Sequence, residues 1–467
     1  QYSTLMEQHS SKKTIPMTMS STPHIKASPA LCVVILAAGK GTRMVSKTAK
    51  VLHPLAGRPM IKHIIKTAEA LLPQKIIVVL APDMDDVAAC VAPHHVAIQT
   101  TQKGTGDALR AAIEVLGDFK GQVLVLSGDV PLVTATTLQS LIDHHRAGHD
   151  FGATVMAMAV PDPTGYGRIF QHANGTLKGI VEEKDATADE RLVRLCYSGL
   201  MVVEGDGLLA RLNRIQNPNA QGEYYLVDLP RIFAEDDIET GVVRGNFYEL
   251  RGVNTRAQLA ELEMAWQHRK RLEMMHTGVT LLDPNTVYFA ADTVVAPDTV
   301  IGASVVFGEK VTIESDVEIR AFCHIEGAHI QSGAVIGPFA RIRPTSVIKQ
   351  DAKIGNFVEV KNSTIGVGAK ANHLGYIGDA ELGDHSNFGC GAITVNYDGK
   401  VKSKTTIGKY VMVGSNASLI APLTVEDGAY IAAGSTITQN IPEDTLAVSR
   451  AKQVNMIGRA KGRFKKD

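Results

Sequence analysis

Residues 295–325 read VAPDTVIGASVVFGEKVTIESDVEIRAFCHI and put an apolar residue at every sixth place: Val295, Ile301, Phe307, Ile313, Ile319 and Ile325. The count slips by one and resumes at Ile330, Ile336, Ile342, Ile348, Ile354 and Val360. After two further slips and an insertion it runs through Ile407, Val413, Leu419, Val425, Ile431 and Ile437. A period of six is neither the helical repeat of about 3.6 nor the strand alternation of about 2. It fits a parallel β-helix, in which each hexapeptide is one flat side of a coil and its apolar residue points inward. Six consecutive matches, renewed twice, make a chance run of short strands improbable. Small residues beside the inward ones (Gly302, Gly308, Gly337, Gly355, Gly408, Gly414, Ala432) are expected to form the tight corners.

Working outward, the repeat region covers about 281–442, with one insertion around 395–405, and a tail over 443–467 ends basic (Arg459, Lys461, Arg463, Lys465, Lys466). Before it, residues 255–280 hold a polar, charged stretch free of Gly and Pro up to about Thr277, a helical linker in which the lone Trp266 reads as a packing residue. Upstream, 31–254 alternates apolar strand-like runs (31–38, 76–80, 123–126) with helical patterns (60–72, 106–116, 136–147). That alternation argues a doubly wound α/β sheet, a Rossmann-like architecture that binds ligands at the carboxyl ends of its strands. Residues 1–30 are polar and lack an apolar core segment, so they read as a disordered extension and not as a signal peptide.

A chain of 467 residues exceeds one core. Lys+Arg and Asp+Glu are both 48, so the charge balance implies neither a nucleic-acid nor a membrane partner. Five scattered cysteines without a C-x-x-C read as reduced thiols of a cytoplasmic protein. No apolar run approaches the ~20 residues a bilayer span needs.

Directly after the first strand-like run comes Leu36-Ala37-Ala38-Gly39-Lys40-Gly41-Thr42-Arg43-Met44, then Lys50-Val51-Leu52. A Gly-rich turn there can aim backbone N–H groups at phosphates, and Lys40 and Arg43 add positive charge. Gln99 and Gln102-Lys103-Gly104-Thr105-Gly106 form a second loop, and Ser127-Gly128-Asp129 ends a strand on a carboxylate. Tyr166-Gly167-Arg168, Val181-Glu182-Glu183, Gln221-Gly222-Glu223-Tyr224 and Gly252-Val253-Asn254 follow. Together these motifs resemble the sugar-1-phosphate nucleotidyltransferases, and specifically the bacterial bifunctional N-acetylglucosamine-1-phosphate uridylyltransferase / glucosamine-1-phosphate N-acetyltransferase family, over about 31–463. The hexapeptide prism is similar to the left-handed parallel β-helix of acyl- and acetyltransferases, and its handedness comes from that resemblance.

The resemblance implies that Asp129 and Asn254 hold Mg²⁺. It also implies that Leu36, Ala37, Ala38, Gly39, Lys50, Gln99, Gln102, Gly104, Thr105, Gly167, Glu182, Tyr197 and Asn254 bind UTP or the UDP-sugar. The implied reaction is in-line attack of the sugar phosphate on the α-phosphorus of UTP, with Arg43 and Lys50 neutralising charge. Three positions depart from the family pattern: Ser127 stands where an aromatic is common, Ala49 where Pro is, and Tyr197 where an Asn contacts the sugar. The last bears on the sugar, not on the metal or the phosphates.

In the repeat region, Arg343 and Lys361 are cationic, as a sugar phosphate requires. His373, Tyr376, Asn387 and the insertion Asn396-Tyr397-Asp398-Gly399 resemble the family's acetyltransferase site. An amine must lose a proton before it attacks a thioester, and imidazole titrates in the right range, so His373 is the candidate general base. Arg343, Lys361, Tyr376 and Asn387 are expected to take the sugar phosphate. Cys390, Asn396, Tyr397, Ser415, Ala433 and Arg450 are expected to take acetyl-CoA. A lone prism has few concavities, so the resemblance implies a homotrimer with sites between prisms, and a product destined for peptidoglycan and lipopolysaccharide synthesis. Two other readings exist: a single-activity nucleotidyltransferase with a regulatory β-helix, and a non-enzymatic scaffold. His373, Tyr376, Asn387 and the insertion speak against the first. Arg43, Lys50, Asp129 and Asn254 speak against the second.

Overall fold

The computed structural model describes residues 30–147 and 150–463. The expected extension lies outside the described residues except for Ala30, as do Lys465 and Lys466 of the basic tail.

The N-terminal half is a mixed sheet in the order Thr240–Arg244, Ala153–Ala159, Leu195–Glu204, Gln122–Ser127, Leu31–Leu36, Lys75–Leu80, His95–Ile98. Leu195–Glu204 alone in that row runs antiparallel to both neighbours. The central strand Leu31–Leu36 is buried on both faces, so it reads as a continuous apolar run. Its alternate residues feed two cores: Cys32 and Val34 into one, Val33 and Ile35 into the other. Met60–Glu69, Thr105–Leu116 and Ala135–Ala147 are the covering helices, each within a few residues of its sequence pattern. The chain leaves the central strand on one side through Lys75–Leu80 and returns on the other as Gln122–Ser127. The crevice between Leu36 and Ser127 is therefore the switch point, where loops diverge and a ligand fits.

Arg256–His276 follows as a helix with a capping box, Thr255 accepting from the Gln258 amide while the Gln258 side chain reaches back. Trp266 is buried and meets the His63 ring edge-on at 6.3 Å. Gln267 bonds both the amide and the carbonyl of Phe289, and Arg271 donates to the Val287 carbonyl, so the helix is clamped to the first coils.

The hexapeptide region is a three-sided prism. Val295 pairs with Ile313, Ile301 with Ile319 and Phe307 with Ile325, so a full coil is eighteen residues. Every apolar residue of the three series is buried. The coils form parallel ladders on the sides of a left-handed β-helix. It begins at Thr280–Leu281 and reaches past residue 442, because Leu446–Ala447 pairs with Tyr430–Ile431.

The corners differ from expectation. Of the small residues assigned to them, Gly337 alone has a left-handed φ, at 93°. The others are small because the next coil is close: a Cβ on Gly302 would lie 2.7 Å from the Ala321 nitrogen. Left-handed residues recur three places after an inward apolar residue, as in Asp298, Ser304, Lys310, Asp316 and Phe322. Non-glycine residues hold this costly conformation because the coils above and below fix it.

Candidate active sites

At the switch point, Ala37 and Ala38 are buried, and the Ala37 amide donates to the Val79 carbonyl. Gly41 has φ 60°, and a Cβ on it would lie 2.6 Å from Lys50 Cβ, so the loop packs directly on the lysine stem. Arg43 is exposed on the short turn Thr42–Met44. Lys50 reaches Asp129 Oδ2 at 2.5 Å and Asn254 Oδ1 at 3.2 Å. Residues from three distant segments thus meet at one point. The Val253 amide donates to the Asp129 carbonyl, and Gln258 Oε1 accepts from the Asn254 amide at 2.8 Å, so the linker helix positions Asn254. Arg256 donates to the Met44 carbonyl and lies 3.2 Å from His53 Nδ1, bracing the phosphate loop.

The second loop is zipped to residues 224–226: Gly106 donates to the Tyr224 carbonyl, Tyr224 to the Lys103 carbonyl, and Leu226 to Thr105 Oγ1. Gln99 is buried with its amide nitrogen bonded to the Gly104 carbonyl and to Asp107. Its amide nitrogen therefore braces the loop. Gln102 stands in the same loop with φ 44°.

Across the cleft, the Tyr197 amide donates to the Gly167 carbonyl at 2.8 Å, and a Cβ on Gly167 would lie 3.4 Å from Glu182 Oε1. Tyr197 is 9% exposed, and its hydroxyl has no partner among the described residues. Burial raises the Tyr197 phenol, with Glu182 adding to it. Burial likewise raises Glu182, and the Asp185, Asp228 and Glu223 carboxylates reinforce the shift. Two polar groups short of partners suit a neutral hydroxylated ligand. Sequence reasoning marked Ser127 only as a departure and gave no role to its Oγ, 2.6 Å from Asp129 Oδ1, or to Arg168, which is 1% exposed and paired with Glu183 at 2.7 Å.

On the prism, coil register gathers residues that lie far apart in sequence. Asn356 pairs with His373, and continuing the register stacks Cys390, Ser415 and Ala433 above it. Arg450 donates to the Ala433 carbonyl at 2.7 Å. These residues form one column along one edge. At about 4.8 Å per coil the stretch from His373 to Arg450 is about 19 Å long. His373 is exposed and its Nδ1 lies 3.0 Å from Asn356 Oδ1. Oδ1 can only accept, so in the neutral ring His373 Nδ1 carries the hydrogen and Nε2 the lone pair.

The adjoining face carries Arg343, paired with Glu359 at 2.8 Å, and Lys361, paired with Asp379 at 3.0 Å. Burial alone would raise Asp379, but bonds from Asn362, Lys361 and Asn396 hold it below the usual range. Asn396 lies 3.5 Å from the Tyr376 hydroxyl, and Tyr376 lies so closely over Gly378 that no Cβ fits there. Tyr397 is exposed on the insertion and donates to the Gly399 carbonyl. Asn387 does not join this face. It pairs with Lys370 around the corner and touches Met412 Sδ. Asn356, Glu359 and Asp379 were missed as supporting residues. The signal for Asn356 was available, since it precedes His373 by one coil.

A nucleotide-type crevice on one half and a polar column on a hexapeptide prism define a two-site transferase. Residues 33–187 match the MobA-like NTP transferase domain, and residues 404–439 match the bacterial transferase hexapeptide family. The chain is 46% identical over 432 residues to the bifunctional protein GlmU of Paramagnetospirillum magneticum, covering 92% of this chain and 96% of the relative. It is 47% identical to the Agrobacterium fabrum protein of the same name (91% and 94% covered) and 44% identical to that of Staphylococcus epidermidis (91% and 98%). The chain belongs to the bifunctional GlmU family and is an acetyltransferase and uridylyltransferase. Among the described residues no helix is long and apolar enough to cross a membrane.

Proposed function

We propose that uridylyl transfer from UTP to N-acetylglucosamine 1-phosphate takes place at the switch-point crevice, and acetyl transfer from acetyl-CoA to glucosamine 1-phosphate along the His373 column. The observation that carries this reading is the meeting of Lys50, Asp129 and Asn254 at one crevice while His373, Cys390, Ser415, Ala433 and Arg450 share one prism edge. The first site orients two phosphate-bearing substrates. Backbone N–H groups of the Gly39–Arg43 loop, Arg43 and Lys50 neutralise phosphate charge, and Gly167, Glu182 and Tyr197 hold the sugar. No group of three or more His, Cys, Asp or Glu forms a metal cluster among the described residues. The Asp129 and Asn254 oxygens nevertheless converge on one cation, the Lys50 ammonium, which suits a hard ion completed by substrate phosphates. Mg²⁺ bound there would polarise the phosphoryl oxygens and help position them for in-line attack.

At the second site, His373 Nε2 takes the proton from the amine of glucosamine 1-phosphate. The freed lone pair attacks the thioester carbonyl and the thiolate of coenzyme A leaves. Arg343 and Lys361 bind the phosphate, and the long column matches an elongated donor. Asn356 sets the tautomer. Asn356→Ala is expected to lower kcat for acetyl transfer about 10–100-fold with little change in KM, the scale seen when a supporting hydrogen bond to a functional imidazole is removed. Steady-state kinetics would check it, and an unchanged kcat would exclude the role.

A homotrimer is part of the same reading. Asn387 stands around the corner from the cationic face, so a neighbouring prism would bring it into the site. The exposed ladder Phe322–Phe339–Phe357, stacked at 4.8 and 5.2 Å, also suits burial in an assembly.

The test is product analysis by mass spectrometry with glucosamine 1-phosphate, acetyl-CoA, UTP and Mg²⁺. UDP-N-acetylglucosamine is expected when all four are present. Absence of any acetylated product would remove His373 from its role. Acetylated sugar phosphate without the UDP-sugar would leave the first site without its assigned reaction.

A further inference from the structure

We infer that Lys50 is a built-in counter-cation at the divalent-ion position of the uridylyl-transfer site, and that its ammonium and a divalent ion occupy that position in alternation. The inference rests on reading Asp129 and Asn254 as the metal ligands.

Both ligand oxygens already serve the ammonium, Asp129 Oδ2 at 2.5 Å and Asn254 Oδ1 at 3.2 Å. The pair is largely enclosed, with the two side chains 14% and 17% exposed. The other Asp129 oxygen accepts from Ser127 Oγ at 2.6 Å, so the carboxylate has no idle oxygen to turn towards an ion. The lysine stem lies against Gly41, which leaves the ammonium as the part able to move. Two cations within a few ångströms in a half-buried site repel strongly. A metal ion arriving alone must therefore displace the ammonium from its best partner. A nucleotide in the Gly39–Arg43 loop changes this. Its phosphates offer the ammonium a second anionic partner, and the two vacated oxygens then accept the ion. Coupling of this kind is reciprocal: nucleotide tightens metal binding, and metal tightens nucleotide binding by the same factor.

The experiment titrates the full chain with Mn²⁺, reading the free ion by electron paramagnetic resonance, with and without UTP. Lys50→Met and Lys50→Gln are compared with the unaltered protein, with folding checked by circular dichroism. Without UTP, both variants are expected to bind Mn²⁺ about tenfold more tightly or better, since removing a competing charge at this range shifts an equilibrium by about one to three powers of ten. Unchanged or weaker binding in the folded variants overturns the inference. Asp129→Ala added to Lys50→Met tests the premise separately. Loss of the gained affinity upholds Asp129 as ligand, and retention overturns both the ligand reading and the inference. On the unaltered protein, acylation of Lys50 by an amine reagent, quantified by peptide mass spectrometry, should rise when Mn²⁺ alone is saturating. No rise overturns the inference even if the variants fail to fold.

Discussion

Asp129→Ala is expected to abolish uridylyl transfer, by about a thousandfold or more, and to leave acetyl transfer intact. The expected size is that of deleting a principal electrostatic element of a transition state. Asp129 is the point at which the Lys50 ammonium, the Ser127 hydroxyl and the Val253 amide meet. Its loss removes one of the two oxygens offered to a cation and releases the lysine. The acetyl site lies on another element, several coils beyond the first turns, which pack on the linker helix and on residues 56–57. Asp129→Asn keeps the shape and removes the charge, so the same loss in that variant assigns the effect to charge and not to packing. Separate assays of the two half-reactions, with thermal unfolding as a control, check this. Loss of both activities in a folded Asp129→Asn protein would contradict two independent sites.

His373→Ala is expected to do the reverse: acetyl transfer falls about 10²–10⁴-fold, the usual contribution of a positioned general base, and uridylyl transfer is unchanged. His373 is exposed at a corner, with Asn356 as its hydrogen-bonded partner. Its removal opens no core cavity, and stability should move by no more than about 0.5 kcal/mol. A variant that keeps its acetyl-transfer rate would return His373 to an ordinary surface histidine.

Much of this architecture was legible in the chain. The six-residue period located the inward residues of all three series because a parallel coil gives each side the same length, and burial tolerates only apolar side chains there. The apolar run at 31–36 marked a central strand because it is covered on both faces. The corners were less legible. Left-handed φ falls on Ser304, Lys310 and Phe322, residue types that do not announce it, while glycines such as Gly302 answer a demand for close approach between coils. Gln99 gains a role that spacing does not reveal: its amide nitrogen bonds to Gly104 and Asp107 and braces the loop.

By itself the sequence determined which side chains are buried, which loops are rich in phosphate-binding groups, and that two unlike architectures follow one another. Those properties depend on local spacing and composition, which one dimension preserves. Tertiary structure alone decided that Lys50, Asp129 and Asn254 touch, that Gln258 holds Asn254 in place, and that Asn356 fixes the His373 tautomer. It also put His373, Cys390, Ser415, Ala433 and Arg450 on one edge. Such meetings depend on strand order and coil register, where a slip of one residue turns every side chain to the other face. Side-chain chemistry is written along the chain, but the distances that make it a site exist only once sheet and coils have closed.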